Sequence, residues 1–208
     1  YPNHFPLEVL DVMQANEKVC HYLDIPIQHI NDTILSSMQR RITGDEIKKL
    51  LEIIRHKIPD IALRTSLIVG YPGETKKMFK ELCTFVEETQ FDRLGVFTYS
   101  HEENTKAYTL KDSISKKEKE RRKEELMYIQ QEISLQKNKQ WKGKTVKVLV
   151  DKVEKNYYIG RTPYDSPDVD NTVLISKRHS TCIPGNFYPV SITKADYYDL
   201  YGKVEDKK

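Results

Sequence analysis

Cysteine is scarce in this 208-residue sequence, and the three present, Cys20, Cys83 and Cys182, lie far apart. That spacing excludes a disulfide framework and a closed four-thiolate metal site, which leaves small buried hydrophobes as the ordinary role for isolated thiols. No apolar run approaches the roughly 20 residues that a membrane-spanning helix requires, and no secretory signal is visible. No membrane partner is therefore expected, and the chain reads as soluble and cytoplasmic. A strong charge of either sign is also lacking. The formal net charge is +3; residues 1–140 carry 22 basic against 22 acidic side chains, and residues 141–208 carry 12 against 9. Bulk charge alone gives no reason to invoke a nucleic acid. An initiating methionine is missing too, since the sequence begins at Tyr1, and the expectation is a piece of a larger protein.

What is present is enough apolar material for a core, 38% of residues, arranged over the first hundred positions as helices alternating with strands. Leu7, Leu10 and Met13 mark a short helix. Residues 19–27 read as a strand running out to Gln28 and His29, and Asn31 is a good helix cap. Thr43 with Glu46 forms a capping box ahead of Ile47, Leu50, Leu51, Ile54 and Ile58, whose spacing makes one apolar stripe, and Pro59 stops that helix. A strand over 61–69, a helix with Phe79, Leu82, Cys83 and Val86 on one face, and a strand over 93–100 follow. Strands separated by helices of this length call for parallel βαβ units, hence an α/β class. The most informative stretch is Arg64-Thr-Ser-Leu-Ile-Val-Gly-Tyr-Pro-Gly-Glu-Thr75, a β-branched strand entering a loop with Gly70, Pro72 and Gly73. Such strand ends are where α/β proteins hold ligands.

After Ser100 the texture changes. Residues 101–113 form a polar loop, and Ser115 with Glu118 suggests a second capping box for a long helix through about residue 139. Its first ten residues mix both signs at helical pair spacing, which reads as a solvated face, while Leu126, Ile129 and Ile133 make a thin apolar stripe. From Trp141 onward short β-rich runs recur at 145–150, 157–162, 172–175, 187–193 and 196–201. Five strands in so short a stretch predict a small closed antiparallel barrel of the oligonucleotide-binding kind, because closure removes edges that so small a sheet cannot protect. Seven of the 13 tyrosines and the single tryptophan lie here; they suit base stacking, and they equally suit strands. The expected division is 1–140, 141–204 and a polar tail over 205–208.

Four ordered segments carry a resemblance: Tyr22-Leu-Asp-Ile-Pro-Ile-Gln-His-Ile-Asn31, Met38-Gln-Arg-Arg41, the Arg64 to Thr75 junction, and Phe91-Asp-Arg-Leu-Gly-Val-Phe-Thr-Tyr-Ser100. Together they are similar to the radical S-adenosylmethionine methylthiotransferases, and the C-terminal part resembles the TRAM domain of those enzymes. The resemblance implies the second half of a radical SAM, TIM-like barrel of parallel strands, followed by the OB-like TRAM barrel. Gly160-Arg-Thr-Pro-Tyr-Asp-Ser-Pro-Asp-Val-Asp170 resembles the branch that modifies a small-subunit ribosomal protein more than the tRNA-modifying branch. Asp165, Asp168 and Asp170 would repel phosphates and attract a basic ribosomal protein, so they are the expected substrate-binding residues.

The family transfers a methylthio group, in this branch to the β-carbon of an aspartate. It uses S-adenosylmethionine and two 4Fe-4S clusters; one cluster cleaves S-adenosylmethionine, the resulting radical removes hydrogen, and the cofactor carries the difficult chemistry. The sequence departs from that pattern, because it holds no CxxxCxxC triplet. The cluster ligands are absent from this chain, and by itself it is expected to be inactive. In the half that remains, the resemblance implies cofactor-binding roles for Gln28, Arg64, Ser66, Val69, Gly70 and Phe97: Arg64 toward the carboxylate, Gln28 or Ser66 toward polar groups, Val69 or Phe97 toward adenine. Two other readings stay open, a tRNA methylthiotransferase with tRNA or rRNA contacts through the TRAM domain, and a non-catalytic module that binds RNA or protein.

Overall fold

In the computed structural model, residues 2–178 and 180–205 are described. They divide into two compact units, one comprising the chain through Val19 together with Leu23–Gln130, the other comprising Cys20–Tyr22 and the chain from Gln131 onward. Among the described residues no helix is long and apolar enough to cross a membrane. The expected polar tail lies, beyond Glu205, outside the described residues.

The first unit is a parallel sheet with helical connections. Helix α1 spans Glu8–Ala15 and buries Leu10 and Met13. Strand β1 is Tyr22–Asp24, shorter than the sequence suggests, and the chain rejoins the sheet at Gln28 through a parallel bridge to Leu67. Helix α2, Asp32–Ser37, starts at Asn31, whose side chain accepts the Thr33 and Ile34 amides. Helix α3, Gly44–Lys57, starts at the full Thr43 and Glu46 capping box. Strand β2 (Ala62–Val69) and strand β3 (Arg93–Thr98) flank helix α4 (Lys76–Thr89), and the sheet order is β1-β2-β3. Phe79, Leu82, Cys83 and Val86 are all buried on α4, as their spacing demands. A sulfur-based cap adds to it: Thr75 accepts the Met78 amide while the Met78 thioether accepts the Thr75 amide. Beyond β3, a 3-10 turn at Lys106–Thr109 leads to helix α5, Lys116–Lys139.

Two expectations about α5 are corrected. Ser115 does accept the Glu118 amide at 3.2 Å, but the Glu118 carboxylate turns to Arg121 and Arg122 and leaves the box half built. The charged run is not wholly solvated either, for Lys119 and Arg122 are buried along with Leu126, Gln130, Ile133, Ser134 and Asn138. These positions fall at helical spacing, so α5 has a buried face that is mostly polar.

The second unit is a closed barrel in the order β4-β5-β6-β8-β7, built from Thr145–Val153, Tyr157–Arg161, Thr172–Ser176, Asp199–Val204 and Phe187–Ala195. Its core is aliphatic: Val146, Val148, Val150, Val173, Ile175, Val190, Ile192 and Leu200, with Cys182 among them and Trp141 packed alongside. The barrel is mixed rather than wholly antiparallel, because β6 and β8 run parallel. Parity requires this. Around a ring of five strands, alternating directions cannot close, so one neighbouring pair must point the same way. On the α5 side, Ser134 and Asn138 donate to the carbonyls of Tyr197 and Asp196 respectively.

Candidate functional site

Strand alternation sorts the candidate residues. Along β2 the side chains of Thr65, Leu67 and Val69 are buried, while Arg64, Ser66 and Ile68 on the opposite face are part-exposed. The register pairs Arg64 with Arg93, Ser66 with Gly95 and Ile68 with Phe97, which continues that accessible face onto β3. Phe97 is 56% exposed on it. Gly95 keeps the floor open: a Cβ there would lie 3.2 Å from the Phe97 ring and 3.8 Å from the Arg64 guanidinium. Arg64, Ser66 and Phe97 are thus brought together around a flat patch.

The remaining candidates fall elsewhere. Val69 is fully buried on the opposite face with Leu67, so it cannot share a ring contact with Phe97 from this side. Gly70 has φ +75°, and its amide donates to the Glu74 carboxylate, so it serves the loop itself. Gln28 has φ +74°, a left-handed conformation that a non-glycine residue adopts at a cost of order 1 kcal/mol or more. Backbone bonds hold it there: its amide donates to Ser66 and its carbonyl accepts from Ile68. Arg64 is paired with Asp24 at 2.6 Å, forty positions earlier in the chain.

Sequence reasoning missed the layer beneath the strand-end loop. His29 is wholly buried; its Nδ1 accepts the amides of Ile30 and Asn31 at 2.9 and 3.0 Å, which puts the ring proton on Nε2. That Nε2 faces Glu74 Oε1 at 3.7 Å, beyond hydrogen-bond reach. The other Glu74 oxygen holds the Gly70 amide and Arg122, at 3.2 Å. Arg122 also donates to the Glu74 carbonyl at 3.0 Å, and Lys119 joins the end of β3 to the following loop by donating to the Tyr99 carbonyl and to Asp112. The loops after β2 and β3 are therefore each pinned to α5 by buried polar bonds, while His29 braces the turn after β1 from within.

Beyond the strand ends lies an open groove of about 480 Å³. Ile68, Tyr71, Phe97 and Tyr99 give it an aromatic and aliphatic lining, the turn after α2 contributes Met38, Gln39 and Arg40, and the 3-10 turn contributes Lys106. Tyr71 and Tyr99 meet edge to face at 5.1 Å.

The acidic barrel segment is mostly structural. Asp165 is buried and accepts the Thr162 hydroxyl at 2.5 Å, and Asp170 accepts the Ser166 amide at 2.8 Å. Asp165 braces its own loop, and Asp170 ties that loop to the Tyr22 hydroxyl, which it accepts at 2.6 Å. Asp168 differs, standing exposed at φ +66° beside the exposed Val169.

Of the three cysteines, Cys83 and Cys182 are buried and Cys20 is exposed. Burial on α4, reinforced by Glu125 and Glu87, pushes the Cys83 thiol up to about 12, and burial in the barrel raises that of Cys182, whereas cluster ligands are thiolates. Among the described residues no group of three or more His, Cys, Asp or Glu is placed to hold a metal ion.

Comparison with known proteins follows the same division. Residues 1–86 match the radical SAM superfamily and residues 143–204 match the TRAM domain. Proteins named ribosomal protein uS12 methylthiotransferase RimO are close relatives: that of Christiangramia forsetii is 50% identical over 98% of this chain and 45% of its own length, and that of Chlorobaculum parvum 49% identical over 98% and 47%. The chain spans about half the length of these curated relatives. Among solved structures, the Escherichia coli coproporphyrinogen III oxidase HemN, described as a radical SAM enzyme, superposes with a TM-score of 0.54 at 26% identity, over 66% of this chain and 32% of that one. A radical SAM portion and a TRAM portion thus stand in one chain, which along 98% of its length is similar to proteins named as methylthiotransferases.

Proposed function

We propose that this chain is the cofactor-facing and substrate-recognising part of a methylthiotransferase that modifies an aspartate β-carbon in ribosomal protein uS12. Identity near 50% along almost the whole chain to proteins named for that activity carries the reading. The sheet face supports it, since the floor at Gly95, the exposed Phe97 ring and the polar handles of Ser66 and Arg64 fit one wall of an S-adenosylmethionine site. When bound, that cofactor supplies the methyl group and the means of removing hydrogen from an unactivated carbon.

The chain's own residues bind and orient. Phe97 offers its ring to adenine over the open floor, Ser66 and Gln28 hydrogen-bond polar groups, and the Asp24 carboxylate orients the Arg64 guanidinium beside them. The buried bonds of Glu74, Arg122 and Lys119 hold the strand-end loops at fixed distance from that face. Residues 1–140 form the cofactor-facing part and residues 141–204 the recognition barrel. Its exposed Asp168 is the acidic contact for a basic ribosomal protein; Asp165 and Asp170 shape the loop that presents it. A ribosomal RNA contact through the same barrel is compatible with this role. Because its sequence holds no CxxxCxxC triplet, the isolated chain is inactive.

The test is anaerobic reconstitution of the natural protein with iron and sulfide, offering it small ribosomal subunits and tRNA in separate reactions. A methylthio adduct on a uS12 aspartate, located by mass spectrometry, is expected. Adducts on tRNA with none on uS12 overturn the substrate assignment, and no adduct on either returns the chain to the class of binding modules.

A further inference from the structure

We propose that the barrel carries, where β5 begins and β6 ends, a docking pocket for ribosomal RNA phosphates formed by Lys155, Lys177 and Arg178, so that uS12 is met on its RNA rather than as a free protein. This rests on the reading above and deepens it by naming the form of the substrate. The pocket is an open hollow of about 470 Å³, and Asn156, Tyr157 and Ser176 complete its lining. No Asp or Glu belongs to that lining. The acids that precede it on the chain are engaged by other cations, Glu154 by Lys152 at 2.9 Å and Asp151 by Arg161. Among the described residues no carboxylate is paired with Lys155, Lys177 or Arg178. Three like charges converging on one hollow repel one another and raise the local concentration of anions.

Backbone bonds set the shape of the hollow. The Lys177 amide donates to the Asn156 carbonyl at 3.2 Å, and the Arg178 amide donates to the Ser176 hydroxyl at 3.3 Å. The Lys177 ammonium lies 5.5 Å from the centre of the Tyr158 ring, which lays its stem along the barrel wall. Aromatic surface adjoins the cations, for the part-exposed rings of Tyr157 and Tyr201 meet edge to face at 6.3 Å. An acidic protein would use the cations alone, whereas cations beside accessible rings suit phosphates and bases together. The strand pair also separates two charges. Tyr157 stands opposite Ser176 in the antiparallel register, and the connection that carries Asp168 joins the other ends of β5 and β6. One end of the pair thus presents an acid and the other presents cations. A basic protein seated on RNA offers the complement to both, while a free basic protein is repelled by the second.

The test measures binding of the natural protein to small ribosomal subunits, to the RNA extracted from them and to isolated uS12, over a range of salt concentrations. None of these needs a cluster or turnover. Lys155→Gln combined with Arg178→Gln, both at exposed positions, should flatten the slope of log affinity against log salt by roughly 1.5 for subunits and for extracted RNA. Near physiological salt both affinities should fall on the order of tenfold. Adding Lys177→Gln should deepen the loss, and affinity for isolated uS12 should not fall. Equal slopes and affinities of parent and variants for the subunits overturn the proposal, as does a loss shared equally by isolated uS12. Weaker subunit binding with full affinity for extracted RNA, and competition by polyglutamate against the parent, assigns the pocket to an acidic protein and overturns it too. Unchanged subunit binding in the variants beside methylthio adducts on uS12 removes only the RNA contact, whereas the expected losses without any adduct remove only the reaction.

Discussion

The two units are held together by different physics. In the barrel every strand has a neighbour on each side, and Val148, Val150, Ile175 and Val190 are wholly buried in a core that is almost purely aliphatic. In the parallel sheet the face that carries Ser66, Ile68 and Phe97 stays partly exposed, and burial of apolar area cannot fix the loops at its rim. That work falls to His29, Glu74, Lys119 and Arg122, all at most 5% exposed. Closure makes an apolar pattern sufficient, while an open working face requires directional bonds. Desolvated charges are a costly way to obtain them, but they set loop position more sharply than side-chain packing alone.

The comparison breaks most plainly at Arg122. Arg122→Ala leaves the buried Glu74 carboxylate without its ion pair and the Glu74 carbonyl without its Arg122 donor, and a loss of about 4 kcal/mol is expected. The barrel's counterpart, Ile175→Ala, removes a fully buried aliphatic chain and should cost about 3 kcal/mol. Urea unfolding distinguishes them when followed by two probes, hydrogen exchange of the amides in residues 70–74 for the sheet and fluorescence of Trp141, the only tryptophan, for the barrel. Arg122→Ala should speed exchange at the loop well beyond Ile175→Ala, and Ile175→Ala should shift the Trp141 midpoint more. Equal responses of both probes to both variants would mean that the buried charges do no more than ordinary packing.

The same contrast explains what the sequence reveals. Local signals survive translation into structure: Asn31 and Thr43 cap their helices, Pro59 follows the end of α3, and the β-rich runs after Trp141 become a barrel. The apolar faces of α3 and α4 are legible because period and burial agree. Non-local polar pairing is not. Arg122 and Lys119 sit in a run that looks solvated, and only Glu74, 48 positions away, and the Tyr99 carbonyl make them core residues. Arg64 looks available to a ligand until Asp24 arrives across the sheet. Asp165 and Asp170 look like a recognition surface because charge suggests exposure, yet Thr162 and Ser166 take them into the loop. The parallel β6 and β8 pair follows from counting strands, a constraint of the closed ring that no single segment displays.

Gly70 sharpens the comparison at a smaller scale. A side chain there would be strained at φ +75°, and its Cβ would lie 2.4 Å from Lys119 Cγ, closer than the buried lysine stem can tolerate without moving. Gly70→Ala should cost about 2 kcal/mol, combining backbone strain with displacement of Lys119. Because Lys119 carries the bond to the Tyr99 carbonyl, hydrogen exchange should also rise across the loop after β3. Exchange confined to residues 70–74 would show that the loops are pinned separately.

Glu118 offers the smallest and most specific test, at the solvent edge of the same charge layer. Hydrogen bonds from Arg121 and then Arg122 hold its carboxyl down to about 2, well below the usual carboxylate range. A folded-state value depressed in this way contributes stability above the unfolded carboxyl's value near 4.3, and that contribution is lost as pH falls through the folded value. The carboxylate is partly open to water and Arg121 is half exposed, so screening limits the effect to below about 1 kcal/mol. Glu118→Gln isolates it from other titrating groups: the gap in urea midpoint between the parent and the variant should be full at pH 5 and close on going from pH 4 to pH 2. A gap of several kcal/mol would place Glu118 with Glu74 among the buried anchors. A gap that ignores pH would leave its bonds to Arg121 and Arg122 as neutral surface geometry, and would end the charge layer at Arg122.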